Sequence, residues 1–188
     1  MRILFNGHPP EADEYPHTTV AYFRWPWAEL EPAEGQYNFA LVDGIIAQAK
    51  AKGETLAIRI VSEYKTGTPQ WLLDKGVGSV KESDGIFPDY NHPIFLAHHE
   101  RLIRAFGDRY GRSLDIDHVD IGSVGCWGEW NTACRGWRKR NASSPHRARR
   151  QSAHHYGLVL QIFCGDSAGD ASWRTIAVCD RARGRLAR

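Results

Sequence analysis

Apolar positions in the first two thirds of this chain fall into runs of two kinds. Short β-branched and aromatic runs, "TTVAYFRW" at 18–25, "TLAIRIV" at 55–61 and "IDHVDIGSVG" at 116–125, read as strands. The second is almost continuously apolar, as a strand buried on both faces must be. Between the strands the period changes to that of a helix. "FALVDGIIAQAKAKG" at 39–53 places Leu41, Ile45 and Ala49 at i, i+4 and i+8, with Gly53 as its stop. "HPIFLAHHERLIRAFGDRYG" at 92–111 aligns Phe95, His99, Leu102, Phe106 and Tyr110 along one face. "TPQWLLDKG" at 68–76 predicts a shorter helix with Thr68 as N-cap, Pro69 in the first turn and Gly76 after the last. The order β, α, β, α, β, with helices long enough for right-handed crossovers, predicts an α/β fold around a parallel sheet or barrel. No Gly-rich phosphate loop follows any strand, which argues against dinucleotide and P-loop folds.

Composition narrows the class. The chain has 188 residues, 42% hydrophobic and 24% charged, enough for one soluble domain with a real core. No apolar run approaches the ~20 residues of a membrane span, so no membrane partner is expected. The N-terminal "MRILFNGHPP" is too short in apolar residues for a signal-peptide core, and a cytoplasmic location is the default expectation. Cys126, Cys134, Cys164 and Cys179 have no metal-knuckle or redox spacing. His98 and His99 are adjacent on a helix and point apart, so no metal site and no cofactor are expected.

Charge divides the chain. Residues 1–133 carry 12 Lys and Arg against 19 Asp and Glu, whereas residues 134–188 carry 12 against 3, and all but one of the 12 are Arg. Residues 134–188 therefore read as a separate basic tail. A nucleic-acid-binding arm is the disfavoured reading. The favoured one is a segment that is not the evolved continuation of the domain, such as a shifted reading frame. Within it, only "YGLVLQIF" at 156–163 has the apolar run of an additional strand or short helix.

Candidate chemistry gathers at strand C-termini: Arg24, Trp25 and Trp27 after the first strand, Arg59 and Glu63 around the second, Trp127 and Glu129 after the third. This is the rim where a (β/α)8 barrel builds its site. In "GCWGEWN" the carboxylate of Glu129 lies between two tryptophans, Trp127 and Trp130, which can raise its pKa by excluding water. The tryptophans could also stack on sugar faces, although each could equally be a core residue. Arg24 and Arg59 could orient a substrate or a catalytic group, or be buried ion pairs.

The stretch "WAELEPAEGQYNFALVDGIIAQAKAKG", with Trp27, Glu31-Pro32, Gly35, Tyr37, Phe39 and Asp43, resembles the W-x3-E-P-x2-G-x-Y-x-F-x3-D pattern of retaining clan A glycoside hydrolases, in particular the β-galactosidase-like bacterial barrels. The order of "LAIRIV", "TPQWL", "PDYNHPIFLAHHERLIRAFGDRYG" and "VDIGSVGCWGEWN" agrees, and the G-x-W-G-E-W strand end is similar to one bacterial group of that superfamily. Over residues 15–133 the likeness implies the N-terminal half of a TIM barrel, with residues 1–133 as the domain. It implies that Glu129 is the acid/base of glycosidic cleavage, that Arg24, Trp25, Trp27, Arg59, Trp127 and Asn131 contact a carbohydrate, and that the nucleophile comes from a later strand. One position departs from the family pattern: Gly128 stands where an Asn usually precedes the acid. Two functions remain open, a β-glycoside hydrolase that is incomplete in this chain, and a non-catalytic carbohydrate-binding or vestigial half-barrel.

Overall fold

A computed structural model of the protein describes residues 2–3, 18–63, 67–82, 85–120, 122, 124–125 and 128. The elements in chain order are β1 (Arg2–Ile3), β2 (Val20–Pro26), α1 (Trp27–Leu30), α2 (Phe39–Ala51), β3 (Thr55–Val61), α3 (Gln70–Asp74), β4 (Ser79–Glu82), β5 (Gly85–Pro88), α4 (Pro93–Tyr110) and β6 (Ile116–Asp120). The main sheet has the order β1-β2-β3-β6 and every pairing in it is parallel. Four adjacent parallel strands, with α1 and α2 between β2 and β3 and α3 and α4 between β3 and β6, form the arc of half an eight-stranded barrel. The expected parallel α/β architecture is what the chain builds.

Strand register sorts the side chains onto two faces, because successive residues point to opposite sides. Ala21, Phe23 and Trp25 on β2 stand beside Leu56, Ile58 and Ile60 on β3. This face is apolar and belongs, with Val42, Ile45 and Ala49 of α2 and Phe95, Leu102 and Phe106 of α4, to one continuous core. Tyr22 and Arg24 stand beside Ala57 and Arg59, which in turn pair with His118 and Asp120 on β6. That face is polar.

The helices match their sequence pattern with local changes. α2 buries Val42 completely while Leu41 is only partly covered, so its inward stripe is Val42, Ile45 and Ala49 rather than one starting at Leu41. α4 begins at Pro93 with His92 as N-cap, whose ring Nδ1 accepts the Ile94 N–H. α3 begins one residue later than its sequence suggests. Pro69 is the N-cap, and the Thr68 hydroxyl donates instead to the carbonyl of Ser62 at the end of β3. The antiparallel pair β4–β5 is an insertion between α3 and α4 that the periodicity does not announce.

The segment carrying the family-like pattern is a connected set of contacts. Glu31, almost fully buried, accepts the Trp27 indole N–H on Oε2 at 2.7 Å and the Gly35 N–H on Oε1 at 2.8 Å. Its carbonyl accepts the Trp71 indole N–H at 3.0 Å. Gly35 has φ of +72°, a left-handed conformation that glycine adopts without a Cβ penalty. Tyr37 and Phe39 pack on Phe106, and Asp43 accepts the Tyr110 hydroxyl at 2.8 Å and pairs with Arg109. Trp27, Glu31, Tyr37, Phe39 and Asp43 thus tie α1, α2, α3 and α4 together.

Candidate active site

The polar face of the sheet leads to the C-terminal ends of β2, β3 and β6. Asp120, the last residue of β6, accepts the Tyr22 hydroxyl at 2.8 Å and the Arg59 Nε–H at 2.7 Å, and pairs with a terminal nitrogen of the same guanidinium. The Arg59 guanidinium also lies 6.0 Å from the Tyr22 ring centroid. Burial, together with the hydrogen bond and negative charge of Asp120, pushes the Tyr22 hydroxyl up to about 12, so it remains a donor. Arg24, in register with Arg59, is exposed.

One turn further, Glu63 lies just past β3 with 1% of its surface exposed. Neither carboxyl oxygen has a hydrogen-bond partner among the described residues. Burial pushes this carboxyl up to about 8. The backbone N–H groups of Glu63 and Gly128, without reaching hydrogen-bond geometry, draw it down slightly, as do the charges of Arg24 and Arg59. At neutral pH Glu63 is therefore predominantly an uncharged acid. Tyr90, fully buried, is its neighbour: its hydroxyl likewise has no hydrogen-bond partner among the described residues, and burial and the Glu63 charge both push its pKa well up.

Beyond β6, Gly122, Gly125 and Gly128 pack closely on one another and on the Arg59 side chain. The Gly128 N–H donates to the Gly125 carbonyl at 3.0 Å, and both glycines have positive φ, 82° at Gly125 and 69° at Gly128. A Cβ on Gly128 would stand 2.0 Å from the Gly122 carbonyl oxygen, and one on Gly122 would stand 2.3 Å from Arg59 Cγ. The departure from the family pattern at Gly128 thus has a local cause: this turn has room for no side chain there.

The structure brings Arg24 and Arg59 to one rim. It corrects the expectation for Trp25 and Trp27. Trp25 points to the opposite, apolar face and packs on Phe23 at 4.2 Å between ring centroids. Trp27 is wholly buried against Phe95, His99 and Trp71. Neither indole offers a face to a sugar. Glu129, Trp127 and Asn131 lie outside the described residues, as do Trp130, all four cysteines and the tail 134–188. Sequence reasoning did not select Tyr22, Tyr90 or Asp120. The available signal was parity, since Tyr22 and Asp120 share the strand face of Arg24 and Arg59. Among the described residues no group of three or more His, Cys, Asp or Glu could hold a metal ion, and no helix is long and apolar enough to cross a membrane.

Known proteins resemble this chain over part of its length. The chain is 31% identical over 105 residues to the β-galactosidase BgaB of a Geobacillus species, and 28% identical over the same length to that of Geobacillus kaustophilus. Each match covers 50% of this chain and 15% of the relative. Among solved structures, endo-glycoceramidase II from Rhodococcus sp. superposes with a TM-score of 0.51 at 15% identity, over 77% of this chain and 38% of that one. The same enzyme in complex with ganglioside GM3 gives 0.52. At that identity the likeness concerns the fold alone, of which this chain spans part. The family model described as β-galactosidase, glycoside hydrolase 42, matches residues 13–123, well over half of the sequence, and the chain belongs to that family.

Proposed function

We propose that this chain supplies the N-terminal half of a barrel that hydrolyses a β-linked glycoside with retention, with Glu129 as its acid/base. The observation that supports this reading most is the Gly125–Gly128 turn: Gly128 lies against Gly122, and Gly122 meets the side chain of Arg59 on the polar face of the sheet. Retaining cleavage needs one carboxylic acid to protonate the leaving oxygen and a second carboxylate to attack the anomeric carbon. Once the covalent intermediate has formed, the first group takes a proton from the incoming water. Arg24 and Arg59 present donors to sugar hydroxyls at the rim, Trp127 offers a stacking surface and Asn131 a hydrogen bond. The nucleophile is supplied by barrel strands beyond those matched here.

The test measures hydrolysis of aryl β-galactosides and β-glucosides by the 188-residue chain, by a version continued through the remaining barrel strands, and by Glu129→Gln in that version. Activity confined to the continued protein, and lowered about 10²- to 10⁴-fold by the Gln variant, is the expected result. An active continued protein indifferent to Glu129→Gln would overturn the assignment. Carbohydrate binding without turnover in the continued protein would instead establish the non-catalytic alternative.

A further inference from the structure

An arginine that is to meet a sugar hydroxyl has to be held still, because its long side chain otherwise loses rotamer freedom on binding, at a cost to affinity. Arg59 is held from three directions. On β6, Asp120 Oδ2 accepts the Arg59 Nε–H at 2.7 Å and pairs with its Nη2. The side of the guanidinium fork is thereby engaged, which leaves its end, between the two terminal nitrogens, turned away from Asp120. On β2, the Tyr22 ring lies beneath the guanidinium, 6.0 Å from ring centroid to carbon. Beyond β6, Gly122 brings bare backbone against the stem, where a Cβ would stand 2.3 Å from Arg59 Cγ and 2.7 Å from Cδ.

Asp120 is itself held. The Tyr22 hydroxyl donates at 2.8 Å to the same Oδ2 that receives Arg59, so one oxygen gathers donors from two other strands. Rotation of the carboxylate would break all of these contacts at once. Register builds the arrangement, since Arg59 stands directly opposite Asp120, while Tyr22 reaches β6 across β3, where its own register partner is the small Ala57.

We propose that Tyr22 and Asp120 are positioning residues for Arg59: Asp120 sets the direction of its guanidinium and Tyr22 keeps Asp120 from turning away, so that the end of the fork stays presented to substrate. Both act through Arg59 rather than on the sugar. Without the Tyr22 hydroxyl, Asp120 gains freedom to rotate and Arg59 follows it.

This inference rests on the reading of Arg59 as a sugar contact, and its test has two arms. In the 188-residue chain, exchange of the Arg59 Nε–H with water is followed by nuclear magnetic resonance, the signal being identified by its loss in Arg59→Gln. Exchange is expected to be slow in the wild type and about tenfold faster in Asp120→Asn and in Tyr22→Phe, which keeps the ring and removes only the hydroxyl. In the protein continued through the remaining barrel strands, each variant should raise KM for the aryl β-glycoside about tenfold with kcat little changed, the mark of a contact made equally in ground and transition states. Added to Arg59→Gln, Tyr22→Phe should have no further effect, because its effect runs through Arg59. A merely structural role would leave the double variant additive. Unchanged exchange in Tyr22→Phe, or additivity of that pair, would overturn the proposal. Should Asp120→Asn not fold, Tyr22→Phe carries both arms. An inactive continued protein sinks the hydrolytic reading and the role of Arg59 with it, whereas an active one whose KM ignores Tyr22→Phe sinks this proposal alone.

Discussion

Glu31 and Glu63 are both almost completely buried, and the protein treats them in opposite ways. Glu31 has an indole N–H and a backbone N–H on its two oxygens, which counter the upward push of burial. Glu63 has neither, and its carboxyl rises from an ordinary 4.5 to about 8. Between those two values the folded chain holds a proton that the unfolded chain has released. Stability therefore falls as pH rises through that window, by about 1.4 kcal/mol per unit, and this group contributes no slope below its lower end. Glu63→Gln removes the slope: urea unfolding of the variant at pH 5, 6, 7 and 8 should show its stability gaining on the wild type at each step. Equal slopes for the two proteins would mean that Glu63 is ionised in the fold. Side-chain identity alone could not reveal this difference, because both are Glu residues near Trp and Gly. Only the contacts of folding separate them.

At the scale of elements, the pattern from Trp27 to Asp43 is a clamp rather than a site, although it is the part of the sequence that most directly reveals the family. Glu31→Ala would leave the Trp27 indole N–H and the Gly35 N–H without their acceptor inside the fold. The Trp27 donor is buried and the Gly35 donor is exposed to water. A buried donor left unpaired costs about 1–3 kcal/mol, so the variant should lose about 1–3 kcal/mol in urea unfolding, with a weaker near-ultraviolet signal from Trp27. A loss below about 1 kcal/mol would show that water replaces the carboxylate there. The strands β2, β3 and β6 and the helices α2 and α4 were readable because each keeps one period over five or more residues. The β4–β5 hairpin was not. Its arms are four residues each and are crossed by Gly, Ser, Lys and Glu, so no alternation can establish itself. Trp25 shows the opposite failure. Its residue type suggested a sugar platform, whereas strand alternation already put it on the face away from Arg24.

Across the whole molecule, the sheet is an arc whose strands differ in how many neighbours they have. β3 is hydrogen-bonded on both sides, to β2 and to β6, and carries Leu56, Ala57 and Ile58 with no exposed surface. Among the described residues β6 pairs on one side alone, and β1 pairs with β2 over two positions. Local opening of a strand exposes its amides once its weaker edge lets go, so protection should follow this order. Hydrogen exchange of the 188-residue chain is therefore expected to be slowest at Ile58 and Ile60, faster across β6, and fastest in β1. Completion of the barrel would give β6 a second partner and close the difference between it and β3, since a barrel has no edge. The same measurement on a protein continued through the remaining strands should then show β6 amides slowed selectively, with those of β3 little changed. Uniform slowing of both strands would indicate a general gain in stability instead. Protection of β6 equal to that of β3 already in the 188-residue chain would mean that its outer edge is paired, and the half-barrel arc would be the wrong description of this molecule.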